Sequence, residues 1–204
     1  IDRLDGTFDE AGTRFFRVID YKTGSAEFSY TDLYYGLKLQ LPLYLAAVAA
    51  ADDAAHRALP AGFYYLPVKT PVLEEGLSGE ALLKEVQKAF RLRGVSLKNA
   101  ELLEAGGGPS VAPEKGTGVL GLEDFSAVAE FARRKAAQTA EAVRTGRAET
   151  APYRKSKRDT ACARCDYASV CGFDPAFGGC AYRSVRTVKA DAFLEEARHE
   201  TVDE

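Results

Sequence analysis

Residues 17–24, which read RVIDYKTG, place an aspartate and a lysine at the end of a run of β-favouring apolar residues. Residues two apart in a strand project to the same face, so Asp20 and Lys22 point together while Tyr21 points away. An exposed ion pair at a strand end contributes almost nothing to stability. An acid and an ammonium in one pocket would instead suit metal-dependent cleavage of a phosphodiester. This stretch alone favours the surface pair, and the rest of the chain has to decide.

A predicted β-hairpin leads up to this stretch. Residues 1–10 and 13–21 alternate apolar and polar side chains, and Ala11-Gly12 marks the turn between them. If Asp2 lies beside Asp20 across the pair, two carboxylates converge and repel each other unless a cation lies between them. Mg²⁺ prefers one or two carboxylates together with water and phosphate oxygens. The functional alternative is therefore a hard-metal site in which Lys22 orients the attacking water.

Hydrophobic spacing beyond the hairpin predicts an α/β protein. Apolar residues at helical spacing predict a helix over residues 32–51, in which Pro42 either kinks the helix or marks the first turn of a shorter one, and we favour one kinked helix. Further predicted elements are a strand over 61–72, a short amphipathic helix containing Leu82, Leu83, Val86 and Phe90, a Gly- and Pro-rich loop over 105–118, and a long helix from Leu122 to about Arg144. The tail from Pro152 onward is expected to be irregular.

Length and composition limit the broad class of the protein. The 204 residues suit one sizeable domain with an appendage, and a hydrophobic content of 46 % is ample for a core. No apolar run approaches the roughly 18 residues of a membrane span, and no signal peptide opens the chain, so we expect a cytoplasmic protein without a membrane partner. Because Ile1 is not an initiator residue, we expect a piece of a longer protein.

The net charge of −3 gives no global indication of nucleic-acid binding, but one segment is strongly basic. Residues 133–158 contain nine Lys or Arg residues against two Glu, a net charge of +7. Such a run is as consistent with a solvated helix face as with a stripe that contacts a phosphate backbone. The candidate DNA contacts are Arg154, Lys155, Lys157 and Arg158.

The four cysteines lie close together in the tail. Cys162, Cys165 and Cys171 form a C-x₂-C-x₅-C pattern, and Cys180 follows after eight intervening residues. In a chain expected inside the cell, such a cluster more often holds zinc or iron–sulfur than disulfides. The spacing alone does not separate these two, because four thiolates suit either metal centre, and we favour zinc as the commoner structural metal.

The segments IDRLD, VIDYKTG and YYGLKLQLPLYL, taken in order, resemble the RecB-like branch of the PD-(D/E)XK (restriction-endonuclease-like) nuclease superfamily. The resemblance implies that Asp2, Asp20 and the backbone carbonyl of Tyr21 bind a divalent metal, Mg²⁺ or Mn²⁺. It implies further that Lys22 is the catalytic lysine. Asp5 lies at a position where family members differ.

The same resemblance covers the helix that follows. Gln40 and Tyr44 are four residues apart, so they share one helix face, and they match the Q-x-x-x-Y motif beside the family's active site. One part of the family pattern is absent, a Glu or His from a helix upstream of the first strand. The fold assignment survives this departure, whereas full activity of this chain alone does not follow.

The cysteine segment, CARCDYASVCGFD, is similar to the C-terminal segment of the AddB family of helicase–nuclease subunits. There, three cysteines after the nuclease core join one upstream of it to hold a structural [4Fe–4S] cluster, which implies Cys162, Cys165 and Cys171 as ligands. The upstream cysteine is not in this chain. Cys180 departs from the pattern and is either a substitute ligand or a free thiol nearby, and we favour the free thiol.

These observations imply a nuclease core over residues 1–150 and a cysteine-rich iron–sulfur segment over 151–204. The expected function is metal-dependent DNA cleavage in double-strand-break repair, with DNA and an AddA-like helicase–nuclease subunit as partners. One alternative is a stand-alone RecB-family or Cas4-like exonuclease. Another is a catalytically inert DNA-binding scaffold, against which the intact Asp20 and Lys22 argue.

Overall fold

The computed structural model describes residues 1–24, 27–51, 58–98, 118–147 and 149–202. Of these, residues 200–202 are described by their backbone only. A five-stranded mixed sheet with helices packed on it confirms the predicted α/β class. The sheet order is β1-β2-β3-β4-β5. The strands are β1 (Arg3–Phe8), β2 (Arg14–Lys22), β3 (Leu59–Pro67), β4 (Arg93–Leu97) and β5 (Gly118–Leu120).

The predicted hairpin is confirmed. Strands β1 and β2 pair antiparallel, with Arg3 opposite Ile19 and Phe8 opposite Arg14. In the turn, the Asp9 side chain accepts a hydrogen bond from the Thr13 amide at 2.7 Å. Gly12 adopts a positive φ of 80°, which costs a glycine little.

Strand β3 extends the sheet in parallel with β2 and places Tyr65 beside Asp20. The strand predicted over 61–72 is thus present but begins earlier and ends at Pro67, the last residue of β3. Strand β4 runs antiparallel to β3 and was not predicted. A Cβ atom at Gly94 would collide with the Phe63 carbonyl, so glycine is required where these two strands approach closely.

The single kinked helix predicted over residues 32–51 is wrong. Two helices replace it, α1 (Tyr30–Tyr34) and α2 (Gln40–Ala51). The chain turns between them at Gly36, whose φ is 73°. Pro42 therefore lies in the first turn of α2, where its missing N–H removes no helical hydrogen bond.

The predicted amphipathic helix is confirmed as α3 (Gly79–Ala89), and the long helix as α4 (Leu122–Arg144). The predicted loop over 105–118 lies outside the described residues except for Gly118, which begins β5. Helices α2 and α4 pack against the face of the sheet that carries Val18 and Phe63.

The expectation of an irregular tail is wrong for its end. Two short strands, β6 (Tyr153–Arg154) and β7 (Arg183–Ser184), pair in parallel, and a helical turn, α5 (Ala168–Cys171), lies between them in the chain. The chain then forms helix α6 (Ala190–Val202). Phe193 and Ala197 of α6 are fully buried against the main core. This apolar face stabilises the helix by removing aromatic and aliphatic surface from water.

Candidate active site

The carboxylate of Asp20 is buried at the end of β2. Val18, Asp20 and Lys22 alternate with Ile19 and Tyr21, so they share the sheet face that carries the helices. The Asp20 side chain is only 5 % exposed, and the Lys22 ammonium lies 2.5 Å from its Oδ2 atom. Apart from this ion pair, the buried Oδ2 atom has no partner among the described residues.

A chain of polar contacts joins this ion pair to α2. The Lys22 ammonium donates a hydrogen bond to Gln40 Oε1 at 3.1 Å, and Gln40 Nε2 donates to the Tyr44 hydroxyl at 3.0 Å. Gln40 and Tyr44 are half-buried on one face of α2 because they are one helical turn apart. The structure thus brings together four of the residues singled out from the sequence.

Asp2 lies across from Asp20 at the open end of the hairpin. Its Oδ2 atom accepts a hydrogen bond from the Tyr21 backbone N–H at 2.7 Å and so prolongs the β1–β2 ladder by one contact. Its Oδ1 atom has no hydrogen bond within the described part of the chain. Asp2 is exposed, in contrast to the buried Asp20.

Asp5 faces away from this group and has a different role. Its carboxylate forms ion pairs with Arg3 at 2.6 Å and Arg17 at 2.9 Å. Partial burial raises the pKa of Asp5, but the hydrogen bonds from the two guanidinium groups outweigh this and leave the pKa below its ordinary value. Asp5 is therefore a structural ion-pair partner on the opposite face of the hairpin.

A cavity of about 260 Å³ opens beside the Lys22 ammonium. Its lining residues are Lys22, Leu37, Lys38, Leu39, Gln40 and Tyr65. The Lys22 ammonium lies 5.3 Å from the centre of the Tyr65 ring. Burial, with the nearby charges of Asp20 and Asp32, raises the pKa of Tyr65 to about 12, so its hydroxyl stays protonated at neutral pH.

The donor set of the hairpin end fits a divalent cation. The buried Asp20 Oδ2 atom accepts no hydrogen bond, and Asp2 Oδ1 is free of one among the described residues. Hard cations such as Mg²⁺ take oxygen ligands of this kind, with water completing the coordination. Within the described residues, no three acidic, cysteine or histidine side chains are grouped tightly enough to enclose a metal by themselves.

Two residues around the cavity were not singled out from the sequence. Tyr65 reads as a core residue of a strand, and its proximity to Asp20 depends on the parallel pairing of β2 with β3. Asp32 is 4 % exposed and forms ion pairs with Lys38 and Lys155. Neither role leaves a local sequence signal, because it depends on partners that are distant along the chain.

Three of the cysteines share a second cavity. Cys162, Cys165 and Cys171 line a space of about 240 Å³ together with Phe173. A 3₁₀ turn over Ala161–Arg164 carries the first cysteine, and helix α5 carries the third at its last position. All four cysteines are free thiols. Thiolates are the donors of zinc and iron–sulfur centres, but as described these three are not grouped tightly enough to enclose a metal by themselves.

Cys180 differs from the other three cysteines. It is half-buried and does not line their cavity, although its amide donates a hydrogen bond to the Phe177 carbonyl in a turn nearby. Tyr182, two residues after Cys180, forms a side-chain hydrogen bond with Cys162. This hydrogen bond raises the pKa of Tyr182.

The four basic candidates in the tail have different surroundings. The Arg154 guanidinium lies over the Tyr182 ring at 4.9 Å, and Lys155 Nζ lies 2.5 Å from Asp32 Oδ1. Lys157 and Arg158 are exposed, and their side chains form no ion pair or ring contact with another described residue. Two of the four basic side chains therefore contact a partner residue of the protein, although all four residues are exposed.

Comparisons with known proteins agree with this geometry. A family model described as the PD-(D/E)XK nuclease superfamily matches residues 1–172.

Among the described helices, none combines the length and the apolar character that crossing a bilayer would require.

Full-length relatives extend the match over nearly the whole chain. AddB of Alkaliphilus metalliredigens, a subunit of an ATP-dependent helicase/deoxyribonuclease, is 31 % identical over 98 % of this chain and 19 % of the relative. The protein of the same name from Moorella thermoacetica is 34 % identical over 94 % of this chain and 18 % of its own length. The one from Clostridium tetani is 32 % identical over 98 % and 19 %. The chain thus spans about a fifth of these relatives, and the predicted resemblance is confirmed.

Proposed function

Because the chain belongs to the PD-(D/E)XK nuclease superfamily, we propose that it is the nuclease domain of an AddB-type helicase–nuclease subunit. The domain hydrolyses phosphodiester bonds of DNA. One observation carries this proposal: Asp20, Lys22, Gln40 and Tyr44, four residues of the family motifs, form one connected set of contacts, and two of them, Lys22 and Gln40, line a cavity.

Asp2, Asp20 and the backbone carbonyl of Tyr21 would hold a divalent cation, Mg²⁺ or Mn²⁺. When bound, such a cation offsets the charge of the phosphate and lowers the pKa of a water molecule. The asymmetry between the two acids suits this role. Buried Asp20 has a fixed orientation, while exposed Asp2 keeps one oxygen turned away from its backbone partner.

Lys22 is the residue that meets the substrate phosphate. Asp20 holds its ammonium in place and Gln40 directs it, so a donor points into the cavity where a phosphate oxygen can accept a hydrogen bond. Tyr44 fixes the Gln40 amide by accepting a hydrogen bond from its Nε2 atom, which leaves Oε1 facing the ammonium. The Tyr65 ring beneath Lys22 excludes water from one side of the lysine.

The cysteine segment has a structural role in this proposal. Cys162, Cys165 and Cys171 line one cavity and would ligate a [4Fe–4S] cluster in the complete protein, with the fourth ligand from elsewhere in it. Cys180 does not take part. The complete subunit would work with an AddA-like helicase–nuclease partner on DNA ends, in the cytoplasm, during recombinational repair.

The test uses the full-length protein that contains this chain. Asp20→Ala should lower divalent-metal-dependent release of nucleotides from linear duplex DNA by about 10³-fold or more, since the buried metal-facing carboxylate is lost. The matched control is Asp5→Ala, which removes an acid from the opposite face of the same hairpin. Undiminished cleavage by Asp20→Ala, in protein shown by circular dichroism to be folded, would refute the assignment.

A further inference from the structure

Helix α1 is one of the two helices against which the C-terminal segment packs, the other being α4. The Thr31 hydroxyl accepts a hydrogen bond from the Val188 amide at 3.0 Å and donates to its carbonyl at 3.2 Å. The Tyr30 ring packs on Phe193 of α6 at 5.2 Å. Two residues of this five-residue helix therefore contact parts of the chain more than 150 positions away.

A third residue of α1 is buried and charged. Asp32 is 4 % exposed, and ammonium groups meet both of its carboxylate oxygens, Lys38 at Oδ2 (3.2 Å) and Lys155 at Oδ1 (2.5 Å). A buried carboxylate is tolerable only with such partners. Lys155 reaches it from the turn between β6 and Cys162, where its amide donates a hydrogen bond to the Asp159 carbonyl at 2.9 Å.

The backbone of Asp32 shapes the wall of the catalytic cavity. Its carbonyl accepts hydrogen bonds from the amides of Leu37 at 2.7 Å and Lys38 at 3.3 Å. These bonds form the turn that leads into Gln40, and both amide-donating residues line the cavity beside Lys22. A displacement of Asp32 would therefore move the start of α2, and with it the Gln40 oxygen that directs the Lys22 ammonium.

From these contacts we propose that Lys155 is a positioning residue for the catalytic lysine. By pairing with buried Asp32, it holds the turn that presents Gln40 to Lys22, and so it makes catalysis depend on the docking of the cysteine segment. This inference rests on the proposed nuclease function. It also removes Lys155 from the candidate DNA contacts, because its ammonium is paired with buried Asp32.

The experiment compares three lysine variants of the full-length protein, after iron analysis shows that the metal content is unchanged. Lys155→Gln should lower kcat by about 3- to 30-fold and leave KM for DNA within about twofold. Lys155→Arg should restore kcat, since a guanidinium can also pair with Asp32. Lys189→Gln is the control, an exposed lysine of the same segment without an ion pair among the described residues.

Two further readouts separate positioning from a general structural effect. Hydrogen exchange of the Leu37 and Lys38 amides should be faster in Lys155→Gln than in the wild type, because their acceptor is less firmly held. In a Gln40→Ala background, Lys155→Gln should cause little additional loss of kcat, because both changes act on the same contact of Lys22.

Each opposite result would overturn the inference. A raised KM with unchanged kcat and a flatter salt dependence would make Lys155 a DNA contact. An unchanged exchange rate with unchanged kcat would leave the ion pair without a positioning role, and full additivity with Gln40→Ala would place the effect elsewhere. Absence of Asp20-dependent cleavage in the wild type would refute the proposed function instead, and the exchange measurement would still decide whether Lys155 holds the turn.

Discussion

The pocket at the end of β2 and the basic segment over residues 133–158 both contain charged side chains, but they hold them differently. In the pocket, the buried Asp20 carboxylate pairs with Lys22 of the same strand, and Gln40 of helix α2 accepts a hydrogen bond from the Lys22 ammonium. In the basic segment, Arg133, Arg144 and Arg147 pair with glutamates two or three positions away. The +7 charge of the segment already includes Glu141 and Glu149, so it stays spread over an exposed surface, whereas the pocket holds one ammonium at a fixed position beside a cavity.

Charge density in a sequence is therefore a poor measure of function. A glutamate next to an arginine on an exposed helix lowers the field that a distant phosphate would feel. In the pocket, Asp20 and Gln40 together fix the Lys22 ammonium at one position beside the cavity.

Removing the directed ammonium should have the largest effect on rate. Lys22→Gln in the full-length protein should lower kcat by about 10²- to 10³-fold, because a fixed donor to the phosphate is lost. Lys84→Gln is the matched control, since Lys84 also pairs with an acid, Glu80 at 2.8 Å, but on the exposed helix α3. Single-turnover cleavage measures both. A comparable loss in the two variants would erase the distinction between the regions.

Removing one thiol should abolish a metal centre. Cys165→Ser should eliminate iron and sulfide from anaerobically purified full-length protein, because Cys165 lines the shared cavity, whereas Cys180→Ser should retain both. Elemental analysis for iron, sulfide and zinc gives the answer. Stoichiometric zinc without iron would overturn the cluster assignment and leave the nuclease assignment standing.

Neutralising the two unpaired charges should change DNA binding moderately. The double variant Lys157→Gln/Arg158→Gln should weaken binding to all sequences alike and reduce the slope of log affinity against log salt by about 0.7 to 0.9 per contact. Arg144→Gln should leave that slope nearly unchanged, because Glu141 already engages Arg144 at 2.6 Å. Equal slopes for the wild type and the double variant would show that these two side chains are solvated and do not contact DNA.

The smallest expected effect concerns the ring beneath Lys22. The folded protein raises the pKa of Tyr65 to about 12, chiefly by burial, so the fold favours the neutral phenol. This contribution to stability is complete below the ordinary pKa of about 10 and is lost as the pH rises through 12. Tyr65→Phe should therefore lose less unfolding free energy than the wild type between about pH 10 and 12, as measured by urea unfolding. Tyr167→Phe, at a residue that is 72 % exposed, should follow the wild type.

Much of this protein is determined by local sequence. Alternation with a turn at Ala11-Gly12 specifies the β1–β2 hairpin, and helical spacing specifies α3 and α4, because each pattern acts over a few neighbouring residues. The same reasoning places Asp20 and Lys22 on one face of a strand, and Gln40 and Tyr44 on one face of a helix. These side-chain directions follow from backbone periods of 2 and 3.6 residues.

Tertiary structure decided the rest. The chain turns at Gly36, so two helices stand where one was predicted. The short apolar face of α6 is part of the core because α4 and α1 lie against it. The burial of Asp32, its pairing with Lys155 and the closeness of Tyr65 to Asp20 join residues from distant parts of the chain. Such contacts leave no periodic pattern in the sequence, since burial and ion pairing depend on which surfaces meet after the chain has folded.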